Sequence, residues 1–211
     1  MIWQYNPYAI PLLISVIPEF GIALIAWRHR QRQAAAYFFL FTLAVAGFMI
    51  AYGLELLSAT LPSMMVWLRF EYVFSLTLPV LYLLFVFAYT GYDMWLSPRR
   101  ILWFFIIPAL HLAAVWTNET YHLNWQTVGT QTVQGVVLFD RTYGPMFWIG
   151  TVYLYVIGVF ASVILIVSMA RYPTLYRRQV LILILAVTAV FAANALTITE
   201  VSFGPKLDLT P

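Results

Sequence analysis

Six long apolar runs, separated by short polar breaks, dominate this chain: about 8–27, 35–58, 63–89, 101–117, 146–170 and 179–200. Each is close to the roughly 20 residues that a helix needs to cross the core of a bilayer. Each is too long for a strand, and a helix satisfies its own backbone groups where no water can reach them. The expected fold is therefore all-α, a polytopic membrane helix bundle with six helices present. Composition agrees, with 63% hydrophobic and 9% charged residues, against the roughly 25% charge of a soluble domain. The opening "MIWQYNPY" has no positive n-region, and no small-residue cleavage site follows the first run, so that run is expected to be a retained span.

Positive charge predicts the orientation. Arg28, Arg30 and Arg32 lie in the first break, Arg99 and Arg100 in the third, and Arg171, Arg177 and Arg178 in the fifth. These are eight of the eleven basic residues, all on alternate loops. The opposite side carries Arg141 and Lys206 against Glu119, Asp140 and Asp208. The N-terminus is thus expected outside, in a multi-pass membrane protein. Six spans return the chain to the outside, so a seventh helix is expected after Pro211. The terminal "DLTP" suits a helix start, with Asp208 or Thr210 as cap and Pro211 in the first turn.

Ionisable residues at membrane depth are expensive and mark function by default. Glu55 and Arg69 each lie about seven residues from the second break, so at 1.5 Å per residue both sit roughly 10 Å below it. The two helices are antiparallel neighbours, and the spacing predicts a Glu55–Arg69 pair. Glu71, two residues on, points to another face. His111, Tyr153, Asn194 and Thr197 fall at a similar depth on other helices, which gives an outer polar layer. Glu19 lies deeper, just after Pro18. The layer reads equally as a ligand pocket or as interhelical hydrogen bonding that fixes the packing.

The long connection 118–145 is the exception among short loops. Trp116 and Thr117 are expected to close the fourth run at the outer interface, with Asn118 ending it in a left-handed conformation and His122 following. Residues 125–141, "WQTVGTQTVQGVVLFDR", alternate and are rich in β-branched side chains, which predicts a small β-hairpin or folded loop. A connection this long suits a lid more than a linker.

Other chemistries find no support. Cysteine is absent, which excludes thiols and disulfides, and no zinc spacing, nucleotide loop or nucleophile elbow appears. No catalytic residue, cofactor or metal is expected. The one lysine, Lys206, lies in the tail, so a retinal Schiff base at mid-membrane is excluded. A net charge of +3, dispersed along the chain, excludes a nucleic-acid partner.

Ordered landmarks carry a resemblance. These are "AWRHR" (26–30), "YGLELLS" (52–58), "LP" (78–79), "FAYTGYDMWL" (87–96), "IPALHLAAVWTNETYHLNW" (107–125), "YGPMFWIGTVYLY" (143–155), "YRRQ" (176–179) and "DLTP" (208–211). Over essentially its whole length the chain resembles the N-terminal seven-transmembrane sensor region of prokaryotic histidine kinases. The resemblance implies that Glu55, Trp116, Thr117, Asn118, His122, Arg178, Gln179 and Asp208 occupy the family's motif positions. It also implies a seventh helix and a cytoplasmic kinase or other output domain further along the same chain, with homodimers of the full-length form.

Residues 1–211 are therefore expected to form a single transmembrane sensor domain embedded in lipid. An unknown small ligand or a membrane stimulus would act on Glu55, Arg69, Glu71, His111, Tyr153, Asn194 and Thr197. Trp116, Thr117, Asn118 and His122 would form the lid, and Arg28, Arg30, Arg178 and Gln179 would couple to the output domain. The alternative is a small six-helix transporter or channel, which requires a polar path through the inner half. The inner halves of the second, fourth and fifth runs are almost wholly apolar.

Overall fold

The computed structural model describes residues 2–133, 135–171 and 177–198, and the side chains of all these except 169–171, 177–179, 197 and 198. The chain order is α1 (Ala9–Arg28), α2 (Gln33–Leu57), α3 (Leu61–Thr90), a short 3-10 turn (Asp93–Leu96), α4 (Pro98–Phe104), α5 (Ile106–Trp116), α6 (Asn118–Tyr121), β1 (Trp125–Val133), β2 (Val136–Tyr143), α7 (Pro145–Arg171) and α8 (Arg177–Ile198).

Among the described residues four helices, α1, α2, α3 and α7, are long and apolar enough to cross a membrane. The α4–α5 pair makes a fifth if its two halves are one span. The apolar part of α8, Val180–Leu196, is shorter. The fourth apolar run is thus not the single helix expected at 101–117. It is bent by 44° at Phe105. Pro108 is the physical cause, because it has no N–H to donate to the carbonyl of Phe104 four residues back. The Tyr153 hydroxyl on α7 donates to that freed carbonyl at 2.5 Å. Pro18 and Pro79 are carried inside α1 and α3, which continue through them.

The 30-residue α3 is the centre of the bundle. It packs along α2 on one side and α7 on the other, with α5 against both α3 and α7, α1 outside α2, and α8 against α7. Small residues allow the close approaches, as they do between membrane helices generally. A Cβ built at Gly47 would meet the Phe74 ring at 2.5 Å, and one at Gly53 would meet Leu13 at 2.6 Å. The largest core cluster gathers Val80, Leu83, Leu84, Val86 and Phe87 of α3 with Ile157, Ala161 and Leu165 of α7.

The expected hairpin is present. β1 and β2 pair antiparallel through a turn with Gly135 at φ 82°, a conformation that favours glycine. The hairpin lies across one end of the bundle. Leu138 is buried with Ala9, Tyr52 and Leu56, and Trp125 is buried with Met65, Leu68, Tyr72 and Val115. The N-terminal arm fastens it. Gln4 Nε2 donates to the carbonyls of Leu56 (3.1 Å), Ser58 (3.0 Å) and Val137 (2.7 Å), and Gln4 Oε1 accepts from Val137 N at 2.9 Å. One glutamine thus ties the α2–α3 turn to β2.

Candidate ligand cavity beneath the hairpin

The turn after α5 is built around Asn118, although not in the way its position suggests. Asn118 does not end a helix in the left-handed region. The α5 cap is Thr117 at φ −101°, the chain makes one further helical turn, and the left-handed residue is His122 at φ 50°. The reason is that the Asn118 side chain is already committed. Its Oδ1 accepts from the backbone N–H groups of Asn124 and Trp125, both at 2.8 Å, and its Nδ2 donates to the Trp125 carbonyl at 3.0 Å. These bonds fix Asn124, which is fully buried and places its Oδ1 2.6 Å from His111 Nε2. An amide oxygen only accepts, so Nε2 carries the hydrogen. His111 is thereby oriented from the hairpin side, with its ring edge-on to Tyr72 at 5.6 Å.

Below this network lies a cavity of about 320 Å³. At its polar end are Glu71, Tyr72, His111, Arg141 and Tyr143. From there it follows α3 as far as Tyr82, between Phe41, Val45, Phe48 and Met49 of α2, the stretch Phe147–Gly158 of α7, and Val187, Val190, Phe191 and Asn194 of α8. The eleven residues from Glu71 to Tyr82 correspond to a depth of about 16 Å. The inner wall is aliphatic and aromatic, with Tyr153, Asn194, Ser75 and Thr151 as polar points.

Glu71, His111, Tyr153 and Asn194, all expected in the polar layer, do line one space. Tyr155 joins the last of them, donating to Asn194 Oδ1 at 3.3 Å. Glu55 is buried but is not part of the cavity lining. The expected Glu55–Arg69 pair is corrected. Arg69 Nη2 bonds Glu119 Oε1 at 2.5 Å, at the outer lip beside Trp116. Residues two apart on a helix are about 200° apart around its axis, so Arg69 turns outward when Glu71 turns in. Thr197 lies on α8, and Arg178 and Gln179 lie in its first turn, but their side chains fall outside the described residues. Arg28 and Arg30 are exposed at the end of α1, where Arg30 lies over the Trp27 ring at 4.0 Å. Trp116, Thr117 and His122 are exposed at the lip rather than in the cavity. The terminal "DLTP" and any helix after it lie outside the described residues.

The cation that faces the buried carboxylates is Arg141, which charge counting had left on the outer surface. Burial alone would lower its pKa, but Tyr143, Tyr72, Glu55 and Glu71 surround it and hold it well above the usual guanidinium value. The guanidinium also sits over the rings of Phe139 (5.5 Å) and Tyr143 (5.6 Å). The signal was present in the strand alternation, since residues 139, 141 and 143 share one face of β2 and two of them are aromatic. Gly150 is the other residue that sequence reasoning missed. A Cβ built there would lie 2.0 Å from His111 Nδ1, so only glycine lets α5 bring His111 against α7. Among the described residues no group of three or more His, Asp or Glu could hold a metal ion. The arrangement suits binding: a charged, hydrogen-bonded end above a greasy shaft.

The chain matches, over residues 11–211, the family model described as the N-terminal 7TM region of histidine kinase. No curated protein and no solved structure matches it. The match spans nearly the whole chain, and the apolar helices and the network around Asn118 fall within it. The chain belongs to the family of N-terminal seven-transmembrane regions of histidine kinases, a sensor region set in a membrane.

Proposed function

We propose that this domain receives a stimulus from the outer side of a prokaryotic plasma membrane and passes it to a cytoplasmic kinase domain of the same chain. In this reading all of residues 1–211 form one sensing unit with its N-terminus outside. The α4–α5 pair and α8 complete six crossings, and a seventh helix leads to the output domain. The arginine-bearing alternate loops support that orientation. The full-length protein acts as a homodimer held by its output domains.

The observation that carries the reading is the position of Arg141. It belongs to the hairpin, yet it lines the same cavity as Glu71 of α3, His111 of α5, and residues of α7 and α8. A small ligand entering that cavity therefore touches the outer lid and several helices together. Helix shifts of about 1–2 Å are typical of such switches, and a coupling of roughly 1–3 kcal/mol gives a clear response. Arg28, Arg30, Arg178 and Gln179 sit at the ends where that shift reaches the cytoplasm.

The test uses the complete gene product in vesicles, with autophosphorylation as the readout. Arg141→Gln and Glu71→Gln should each move the basal rate. If both variants reach the membrane folded and phosphorylate at the unaltered rate, the cavity is not part of the switch.

A further inference from the structure

Two hydroxyls in the cavity wall differ from others in the bundle. A Ser or Thr in an apolar helix commonly bonds the carbonyl one turn back. Ser15, Thr42, Ser58, Thr77, Thr90 and Ser162 do so, at 2.7–2.9 Å. Ser75 of α3 and Thr151 of α7 do not. Both line the cavity, both are half-buried, and among the described residues neither hydroxyl has a hydrogen-bond partner. Ser75 lies one turn along α3 from Glu71, and Thr151 follows Gly150, against which His111 packs, so both stand just inside the polar end. Each hydroxyl has one hydrogen to donate, and a donor without an acceptor in an apolar space is costly. The charges above them are already engaged. Tyr143, Tyr72, Glu55 and Glu71 act on Arg141, and Arg69 bonds Glu119. An ion entering this space of low dielectric would therefore have to bring its own counter-charge. A neutral molecule would not. Further in stand Phe41, Phe48, Tyr82, Phe147 and Phe191, which suit an apolar body. The volume of about 320 Å³ lies at the small end of ligand pockets.

We propose that the cavity takes a small neutral lipophile bearing one uncharged oxygen acceptor, such as a ketone or ester carbonyl, which receives hydrogen bonds from Ser75 and Thr151 while the body lies along the shaft. A carbonyl oxygen has two lone pairs and can accept from both hydroxyls. This rests on the reading of the cavity as the stimulus site and deepens it.

The experiment measures binding of four probes that share one body, phenylbutanone, butylbenzene, phenylbutylamine and phenylbutyrate, to the complete gene product in phosphatidylcholine nanodiscs, relative to empty nanodiscs. Phenylbutanone should bind about fivefold or more tightly than butylbenzene, the scale of one neutral hydrogen bond, and more tightly than either ion. Ser75→Ala and Thr151→Val should each lower the preference over butylbenzene, and the double variant should erase it. Neither change breaks a hydrogen bond among the described residues, so both variants should unfold at the unaltered temperature. Thr151→Trp, which fills the cavity, should remove binding altogether. Equal binding of butylbenzene, a preference that survives the double variant, or a marked fall in unfolding temperature overturns the role of the hydroxyls. Tighter binding of the amine or the carboxylate overturns the neutral assignment. Each of these leaves the cavity as a ligand site. Failure of all four to bind in a manner sensitive to Thr151→Trp overturns both the ligand class and the site. Selective binding of phenylbutanone without effect on autophosphorylation would keep the ligand class and remove the sensing role.

Discussion

His111 Nδ1 occupies the place where a side chain at position 150 would begin, 2.0 Å from a Cβ built on Gly150. The contact locks α5 to α7 at the level of the cavity. Gly150→Ala must push His111 away and disturb its bond to Asn124. Overpacking of this kind costs about 1–3 kcal/mol. Thermal unfolding of the detergent-solubilised chain should show the loss, and Gly129→Ala, at an open hairpin position, should show far less.

Asn118 closes three hydrogen bonds on the backbone of residues 124 and 125. Asn118→Ala leaves those groups without their partner, at about 1–3 kcal/mol in a buried setting. The expected sign is local. Amide exchange at Asn124 and Trp125 accelerates well before the helices are affected.

Arg141 and Arg69 separate cleanly by substitution. Arg141→Met removes a buried cation on which Glu55 and Glu71 act and should destabilise by about 3–5 kcal/mol, the usual result of removing one member of a buried charge set. Adding Glu55→Gln should restore part of it. Arg69→Met breaks a pair whose carboxylate is 75% exposed, and should cost no more than about 1 kcal/mol. A large loss at Arg69 and none at Arg141 would reverse this assignment.

Tyr153→Phe removes the donor to the Phe104 carbonyl at the α4–α5 bend. The loss should be about 1 kcal/mol. Pro108→Ala restores an N–H to that carbonyl and should make the Tyr153→Phe change nearly silent, which a double-mutant cycle would read.

Much of this was legible from residue order. The expected run 63–89 became Leu61–Thr90, and 146–170 became Pro145–Arg171, because long apolar periods leave few alternatives. The hairpin followed from alternation and Gly135. The bend at Phe105 was hidden because Pro108 announces a missing hydrogen bond but not whether the helix kinks or breaks. The extra turn at Asn118 was hidden for a related reason. An asparagine at a helix end can serve by its backbone or by its side chain, and only the position of Trp125 decides which. Glu71, His111, Tyr153 and Asn194 line one cavity, and their similar level could be counted because depth along a helix is measured from its ends. Arg69 failed because depth says nothing of direction around the axis. Arg141 was missed because its strand folds back over the helix ends, a long-range contact that no local pattern encodes.

Thr151 and Val152 are adjacent on α7, but Thr151 lines the cavity whereas Val152 is 62% exposed on the outer face of the helix. Tryptophan at each position, in the complete protein reconstituted in vesicles, tests the central claim with one assay of autophosphorylation. The account predicts that Thr151→Trp shifts the basal rate by about fivefold or more, the scale of an ordinary allosteric coupling, while Val152→Trp leaves it unchanged. Equal rates for the two variants and the unsubstituted protein would contradict it.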